Sequence, residues 1–300
     1  MSGDVRGAGG GADGTNAAGS GLAVRCLEVV HIYRRGDSEV IALRSVDLEV
    51  AAGEMLAVYG PSGSGKSTLV ALLGGLISPT AGQTWIGDQE ISRMPGRRLL
   101  RLRAGTVATV LQGAGRNLLP YATAAQNVAF AQRAARRRGL PAPADLLGEL
   151  GLADLAHRKV GAMSGGEQQR VAVAAAVAVG PGLLIADEPT SQLDAPGRDE
   201  VLNLLHRVNQ RFGSTIVVVT HDPVVGARLG RTITMRFGRV GQAGVDGRQF
   251  TLIGRDGGLQ LPDEYLDEWP SGTLVEVLRD GVDLRIRRRG TGGTDGRADA

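Results

Sequence analysis

The chain has 300 residues, 42% of them hydrophobic and 22% charged, which is the composition of a globular protein with a sizeable core. Its single cysteine, Cys26, excludes an internal disulfide and a cysteine-based zinc site, and no apolar run approaches the roughly 20 residues that cross a bilayer. The net charge of +3 includes arginine clusters, and such clusters are more typical of solvated helix faces than of lipid or nucleic-acid sites.

The first predicted elements are a tail and a group of short strands. Residues 1–21 are rich in Gly, Ala and Ser, so they are predicted to be a disordered tail rather than a signal peptide. Alternating apolar and polar residues predict half-buried strands over Ala23–Val29, Val40–Leu43 and Val46–Val50, with a turn at residues 35–38. Tyr33 precedes this turn, where it either packs beneath the turn or offers a flat face on which a base could stack.

A glycine-rich stretch follows an apolar run, Met55–Tyr59, and leads into a helical pattern over Leu69–Leu73. The stretch reads Gly60-Pro61-Ser62-Gly63-Ser64-Gly65-Lys66-Ser67-Thr68. Strand, loop and helix in this order predict a phosphate site in which Lys66 reaches the β- and γ-phosphates and Ser67 offers its hydroxyl to Mg²⁺. The alternative is a turn with a surface lysine, but only two of the 34 basic residues are lysines and one of them lies here. The sequence therefore predicts that the chain binds a nucleoside triphosphate.

The middle of the chain, residues 94–179, is predicted to be a helix-rich segment inserted between strands. The strand before it covers Gln83–Gly87, and a strand within it, Thr106–Leu111, ends at Gln112, whose carbonyl oxygen suits Mg²⁺ or an attacking water. The predicted helices are Arg98–Arg103, Thr123–Arg138, Asp145–Leu150 and Gly165–Val179.

Two strands of a parallel sheet are predicted after this segment, with a helix over Pro196–Phe212 between them. The run Gly182–Ala186 is apolar throughout, as in a strand covered on both faces, and Ser214–Thr220 is strongly β-branched. The first strand leads into Asp187, a candidate Mg²⁺ ligand, and Glu188, placed to polarise the attacking water. The second leads into His221, which could hydrogen-bond the γ-phosphate. Singly, such an Asp is often a helix cap and such a His a core residue.

A second anion site is predicted where a Ser-Gly-Gly turn opens a helix. It lies within Met163-Ser164-Gly165-Gly166-Glu167-Gln168-Gln169-Arg170. With this motif the chain resembles the ATP-binding-cassette (ABC) ATPases over about Leu22–Gly241. The resemblance implies an α/β fold of the P-loop NTPase type, with a mixed core sheet, an N-terminal antiparallel β subdomain and the inserted helical subdomain, and it implies a 22–245 domain that uses ATP and Mg²⁺.

The family resemblance also assigns the motifs. Gly60–Thr68 resembles the Walker A loop, Leu183–Glu188 the Walker B strand, and Ser164–Gln168, including Gly165, Gly166 and Glu167, the signature motif. Gln112 resembles the Q-loop glutamine, Asp194 closes the D-loop, His221 resembles the switch histidine and Tyr33 the aromatic residue that stacks on adenine. Met163 for the usual Leu and Ala174–Ala176 for the usual Ala-Arg-Ala are departures that remove no catalytic group.

The resemblance implies that two copies meet head to tail around ATP and drive a separate membrane-spanning permease. Segments such as Gly74–Leu76 and Asn117–Pro120 are similar to the ATPases of lipoprotein-releasing, macrolide-export and cell-division-type systems. We therefore expect export or extrusion, a cytoplasmic protein peripheral to the inner face of the membrane, and no nucleic acid. The alternative is a soluble ABC ATPase acting on nucleic acid or ribosomes, which the absence of a heptad run and of zinc cysteines disfavours.

Residues 246–290 are predicted to form a small β-rich unit, followed by a disordered tail over 291–300. Strands are predicted over Phe250–Ile253, Gly258–Leu261, Thr273–Arg279 and Val282–Arg288, with a helix over Pro262–Trp269. The pattern resembles the swapped-hairpin fold of AbrB-like regulators, which would pair copies, and the alternative is a β unit that caps the ATPase domain.

Overall fold

A computed structural model describes residues 21–36, 38–135, 139–245, 248–253, 257–261, 265–270 and 273–288. Internal contacts divide the chain into two compact units, Met1–Phe250 and Thr251–Ala300. Apart from Gly21, both predicted disordered tails lie outside the described residues. Among the described helices, none has the length and apolar character needed to cross a bilayer.

The first unit begins with an antiparallel sheet in the order β2-β1-β4-β5. Its strands are β1 (Val24–Arg35), β2 (Ser38–Val50), β4 (Ala81–Ile86) and β5 (Gln89–Glu90). The predicted turn is confirmed as a tight β1–β2 hairpin that closes at the Arg35–Ser38 pair. The prediction of separate strands over 40–43 and 46–50 was wrong, because Arg44 and Ser45 form a bulge in one continuous strand, with Ser45 at φ 51°.

The second sheet has seven strands in the order β11-β10-β9-β3-β8-β7-β6. They are β3 (Met55–Tyr59), β6 (Val107–Val110), β7 (Leu183–Asp187), β8 (Thr215–Val219), β9 (Arg231–Arg236), β10 (Arg239–Val245) and β11 (Arg248–Thr251). The strands from β9 to β6 run parallel, and β10 is antiparallel to β9, so the sheet is mixed. Because successive side chains point to opposite faces, Leu184 and Ala186 enter one apolar core while Leu183 and Ile185 enter another. The sheet is therefore covered on both faces, which explains the continuous apolar run of β7.

Seven helices occur among the described residues, and most match the predicted helices within a few positions. They are α1 (Lys66–Leu73), α2 (Gly96–Gly105), α3 (Ala124–Ala135), α4 (Pro143–Glu149), α5 (Gly165–Ala176), α6 (Ala195–Phe212) and α7 (Pro223–Leu229). Short 3-10 turns lie at Ala114–Arg116, Ala153–Leu155 and Val160–Ala162. The last three predicted residues of the second helix, 136–138, lie outside the described part. The predictions had not included α7, β9 or β10.

The second unit contains an antiparallel hairpin, β12 (Val275–Asp280) and β13 (Asp283–Arg288). This confirms the hairpin predicted from Asp280-Gly281, and Gly281 takes φ +64° in the turn. The predicted helix over Pro262–Trp269 was wrong for its described part, since residues 265–269 form a turn held by a bond of 2.8 Å from the Trp269 N–H to the Tyr265 carbonyl. Its first residues, 262–264, lie outside the described residues.

Candidate active site

A cavity of about 690 Å³ opens where β3, β7 and β8 end, and its volume is in the range of small-molecule sites. Twelve of the predicted site residues line it. They are Tyr33, Gly60, Ser62, Gly63, Gly65, Lys66, Ser67, Thr68, Gln112, Asp187, Glu188 and His221. Residues from the N-terminal sheet, the glycine-rich loop, the segment after β6 and three strand ends therefore converge on one space.

The glycine-rich loop joins β3 to α1, and it requires glycine for steric reasons. A Cβ atom at Gly60 would lie 2.2 Å from the Met235 carbonyl oxygen, and one at Gly65 would lie 2.5 Å from the Ala42 carbonyl oxygen. Gly65 also takes φ +101°, which side chains rarely adopt. No side chain caps the start of α1, so its first N–H groups and its dipole are available to an anion.

Lys66 is almost buried at the start of α1, and its ammonium group is held over the loop. Its Nζ donates hydrogen bonds of 2.6 Å to the Gly60 carbonyl and 2.8 Å to the Pro61 carbonyl. Burial lowers the pKa of Lys66, and the charges of Glu188 and Asp187 oppose this shift. The loop therefore carries a cation beside two carboxylates.

The two carboxylates follow each other at the end of β7 and have different surroundings. Burial and the neighbouring Glu188 charge raise the pKa of Asp187, against the opposing charges of Lys66 and Arg116. Glu188 takes φ 49°, a conformation that costs a non-glycine residue about 1 kcal/mol or more. Its N–H donates to the Val219 carbonyl at 2.8 Å, and its own carbonyl accepts from the Ser191 hydroxyl at 2.9 Å. The backbone is therefore fixed from both sides at this strained position.

His221 and Glu188 form a direct pair. The Nδ1 of His221 lies 2.8 Å from Oε1 of Glu188, so the tautomer that carries its proton at Nδ1 donates to the carboxylate. The imidazole is mostly exposed to solvent whereas the carboxylate is largely covered. The Glu188 carboxylate, which follows β7, is therefore oriented by the His221 side chain, which follows the neighbouring strand β8.

The donor set for Mg²⁺ fits the preferences of that ion. Ser67, Gln112 and Asp187 all line the cavity and offer a hydroxyl, an amide and a carboxylate oxygen. In the part of the chain that the structure describes, no group of three His, Cys, Asp or Glu side chains forms a metal cage. A set with one carboxylate suits Mg²⁺, because this ion takes most of its other oxygens from water and from substrate phosphates.

Tyr33 lines the cavity instead of packing beneath the hairpin turn. Its side chain is 44% exposed, and it pairs across the hairpin with Val40. The buried His31 ring contacts it edge-on, with ring centroids 4.6 Å apart and planes at 77°. The Tyr33 ring is therefore held by His31 and remains exposed enough to meet a ligand in the cavity.

The signature turn lies elsewhere on this chain. Ser164, Gly165, Gly166, Glu167 and Asp194 are not among the residues that line the cavity. Pro61 and Ser64, which belong to the loop, also do not line it. Apart from Pro61 and Ser64, the predicted residues therefore divide into those that line the cavity, called here the cavity group, and an outer group that comprises Ser164, Gly165, Gly166, Glu167 and Asp194.

Three members of the outer group, Ser164, Glu167 and Asp194, cap helices. The Ser164 hydroxyl accepts the Glu167 N–H at 3.2 Å, and the Glu167 carboxylate accepts the Ser164 N–H at 2.8 Å, which makes a capping box at the start of α5. Arg158 donates hydrogen bonds to both Glu167 carboxylate oxygens, at 2.5 and 3.2 Å. These bonds, together with the bond from the Ser164 N–H, lower the pKa of Glu167. Asp194 caps α6 by accepting the Gly197 N–H at 3.0 Å.

Several residues at the site were missed by the sequence interpretation. Val40, Ile41 and Ala42 line the cavity beside Tyr33. Val40 and Ile41 could have been inferred, because the predicted turn at residues 35–38 brings them opposite Tyr33 and its neighbour in a hairpin. Arg116, whose charge acts on Asp187, lies on a 3-10 turn and carried no motif signal.

A comparison with protein families matches residues 43–191 to the family described as ABC transporter. The lipoprotein-releasing system ATP-binding protein LolD of Geobacter metallireducens is 42% identical, in an alignment that covers 71% of this chain and 97% of the relative. The chain belongs to the ABC transporter family. This ABC ATPase is also 40% identical to the macrolide export ATP-binding/permease protein MacB of Chromobacterium violaceum, over 71% of the chain but only 34% of that longer protein.

Solved structures agree with the fold of this ABC ATPase. A dimeric ATP-binding cassette in a post-hydrolysis state with ADP and Pi is 33% identical and matches with a TM-score of 0.67, covering 76% of this chain and all of the other. The α/β fold expected of a P-loop ABC ATPase is thereby confirmed, together with the predicted relation to the lipoprotein-release and macrolide-export branch.

Proposed function

We propose that two copies of this ABC ATPase close around ATP and drive a separate membrane-spanning permease for the export or extrusion of a substrate. The observation that carries this proposal is the separation of the site residues into two groups. One chain brings the phosphate loop, Gln112, Asp187, Glu188 and His221 into the cavity, while the Ser164 turn lies outside it. A second copy that presents its own Ser164 turn would complete the site.

The cavity group would bind and orient the nucleotide. Tyr33 stacks on the adenine, the N–H groups at the start of α1 surround the phosphates, and Lys66 exchanges its carbonyl partners for phosphate oxygens. Ser67, Asp187 and Gln112 would hold Mg²⁺, which when bound supplies positive charge to the β- and γ-phosphate oxygens.

Glu188 would polarise the attacking water. Its carboxylate is fixed by the strained backbone and by the 2.8 Å contact with His221, so it can accept a proton from a water in line with the γ-phosphate. His221 is the positioning partner that follows the neighbouring strand. Its ring is largely exposed, so the imidazolium form, which donates from both ring nitrogens, could bind Glu188 through Nδ1 and the γ-phosphate through Nε2.

The outer group would act across the interface between copies. Ser164, Gly165 and Gly166 present a hydroxyl and helix N–H groups to the γ-phosphate bound by the other copy, with Asp194 close by on its own helix cap. ATP would then favour the closed pair only through contacts that the open pair lacks. Hydrolysis removes these contacts and reopens the pair. The difference in ATP-binding free energy between the closed and open pairs is then available to move the permease.

Several observations support a membrane partner. The LolD relative is named as part of a lipoprotein-releasing system, and the MacB relative joins an ATP-binding region to a permease in one chain. The present chain has no helix among its described residues that could span a bilayer. We propose that a separate permease supplies this part and holds the ATPase at the inner face of the membrane.

The test is the Glu188→Gln variant with ATP and Mg²⁺. We expect ATP binding to persist, turnover to fall about 100-fold or more, and a nucleotide-dependent dimer to accumulate in sedimentation. Glu149→Gln, which alters an exposed carboxylate paired with Arg211, is the control and should behave as the wild type. A Glu188→Gln variant that hydrolyses ATP at the wild-type rate, or that stays monomeric with ATP, contradicts the proposal.

A further inference from the structure

The β12–β13 hairpin has two faces of different chemistry. Its register pairs Val277 with Ile286 and Arg279 with Leu284, so alternation assigns each residue to one face. The first face, called here the apolar–arginine face, comprises Val275, Val277, Arg279, Leu284, Ile286 and Arg288. The second face comprises Glu276, Leu278, Asp280, Asp283, Arg285 and Arg287.

The apolar residues of the first face are exposed. Val277 is 59% and Leu284 63% accessible, and Val282 at the tip of the hairpin is 99% accessible. A two-stranded hairpin is at best marginally stable alone, and clustered exposed aliphatic side chains usually mark an interaction surface. This face is therefore suited to be covered by something apolar.

The charges of the hairpin are distributed unequally. All three carboxylates, from Glu276, Asp280 and Asp283, belong to the second face, where Asp280 and Arg285 form an ion pair of 2.5 Å. On the apolar–arginine face, Arg279 donates to the Gly281 carbonyl and Arg288 to the Glu268 carbonyl. Within the described residues neither of these two arginines has an ion-paired carboxylate, so the face is cationic.

The charge pattern decides between two occupants of the face. A second copy, stacked face to face, would bring four guanidinium groups together without a carboxylate, which is unfavourable. An anionic lipid surface instead accepts aliphatic side chains at the level of the headgroups and pairs arginines with lipid phosphates. The long arginine side chains also let their apolar stems lie along such a surface.

We propose that the apolar–arginine face of the C-terminal hairpin docks on a membrane surface that contains anionic lipids. The unit that carries it, Thr251–Ala300, lies outside the segment matched to the ABC transporter family, so this contact goes beyond the proposed ATPase function. It requires neither nucleotide nor permease.

The test is flotation of the full-length protein, without nucleotide, on vesicles of phosphatidylcholine and phosphatidylglycerol in equal amounts. The wild type should bind these vesicles, should bind less at high salt, and should not bind pure phosphatidylcholine. Arg279→Gln should weaken binding about fivefold, whereas Arg287→Gln, with the same charge change on the second face, should weaken it less than about twofold. Leu284→Thr should weaken binding about tenfold.

Circular dichroism and ATP hydrolysis check that the variants are folded, since these residues lie outside the nucleotide cavity. Three results would overturn the proposal. The wild type could fail to bind the mixed vesicles. The two arginine variants could weaken binding equally, which would leave only a diffuse charge effect. Finally, Leu284→Thr could dissociate a concentration-dependent dimer of a protein that binds no vesicles, which would assign the face to a second copy.

Discussion

Helices α1 and α5 both begin at a turn of glycine and serine, yet the two turns treat their N–H groups differently. At α5 the Ser164 side chain and the Glu167 carboxylate cap the turn from within the chain. At α1 no side chain caps the first turn, and the loop lines a cavity that also contains Lys66 and two carboxylates. The uncapped turn is a site that a single chain can use, because the ligand itself supplies the missing cap.

The capped turn has fewer free donors, so it is suited to add contacts to an anion that is already bound. A helix dipole and a serine hydroxyl remain available there, while the capping box keeps the turn rigid. The comparison thus predicts that damage to the α1 turn abolishes binding by one copy, whereas damage to the α5 turn affects only the step that needs two copies.

Lys66→Ala should have the largest effect. Loss of a charged donor from the phosphate site should weaken ATP binding by a single copy about 100-fold or more, as measured by calorimetry on dilute protein. Lys159→Ala is a matched control, because Lys159 is the other lysine of the chain and is exposed. If the two variants bound ATP with equal affinity, the α1 turn would not be the site at which a single copy binds ATP.

Gly165→Asp tests the α5 turn. Apart from its chain neighbours and the backbone of its own helix, no atom lies within 4 Å of a Cβ atom built there. An acidic residue in the first turn of a helix is favourable, so the fold should be kept. Repulsion of the γ-phosphate should lower turnover and nucleotide-dependent dimerisation at least about tenfold, while single-copy ATP affinity stays within about twofold.

Gly96→Asp is the control for this experiment. Gly96 also begins a helix, α2, and also has open space around its Cβ position. If Gly165→Asp turned over ATP as fast as Gly96→Asp, the α5 turn would not meet the nucleotide.

Tyr33→Ala should weaken ATP binding by about 1–2 kcal/mol, or about fivefold to thirtyfold, through loss of stacking. Tyr33→Phe should retain most of the affinity, since the ring is the group that stacks. Turnover at saturating ATP should change little in either variant. An unchanged dissociation constant in Tyr33→Ala would show that the ring serves only the packing of the hairpin.

Arg158→Gln should have the smallest effect, because Arg158 acts on the α5 turn only through Glu167. An ion pair this accessible to solvent contributes little, so turnover should fall only about twofold to fivefold with unchanged single-copy ATP affinity. Arg211→Gln, which removes the exposed pair with Glu149, is the control.

The contribution of Arg158 to stability should also depend on pH. The pKa of Glu167 in the folded protein lies below its ordinary value. The pair with Arg158 therefore stabilises the protein fully at pH values above that ordinary pKa. The difference in unfolding free energy between wild type and Arg158→Gln should disappear as the pH falls through the lowered pKa. A difference that is constant with pH would assign the effect to packing instead.

The parts of the fold that were predicted correctly carry local signals. The glycine spacing of residues 60–68 and the apolar run of β7 each specify their own conformation, so the phosphate loop and the position of Asp187 followed from the sequence. In contrast, β9 begins and ends with arginine, at Arg231 and Arg236, and β10 begins with Arg239. The strand character of both segments depends on pairing with β3 and with each other.

Other features depend on contacts between distant segments. The bulge in β2 is supported by a hydrogen bond of 2.8 Å from the Arg44 N–H to the carbonyl of Gly238, which lies 194 residues further along the chain. The proximity of Arg116 to Asp187 and the clamp of Arg158 on Glu167 are likewise tertiary. The sequence shows the charge and turn propensity of these positions, but it does not show which distant residue each of them contacts.

The near absence of lysine has a practical consequence for chemical labelling. Only Lys66 and Lys159 carry side-chain amines, and burial lowers the pKa of Lys66, so a larger fraction of this amine is uncharged and nucleophilic at mildly alkaline pH. An acylating reagent small enough to enter the cavity therefore has one internal target and one surface target besides the α-amino group. Protection of the Lys66 amine by added nucleotide would report occupancy of the phosphate loop directly, with the Lys159 amine as the reference in the same molecule.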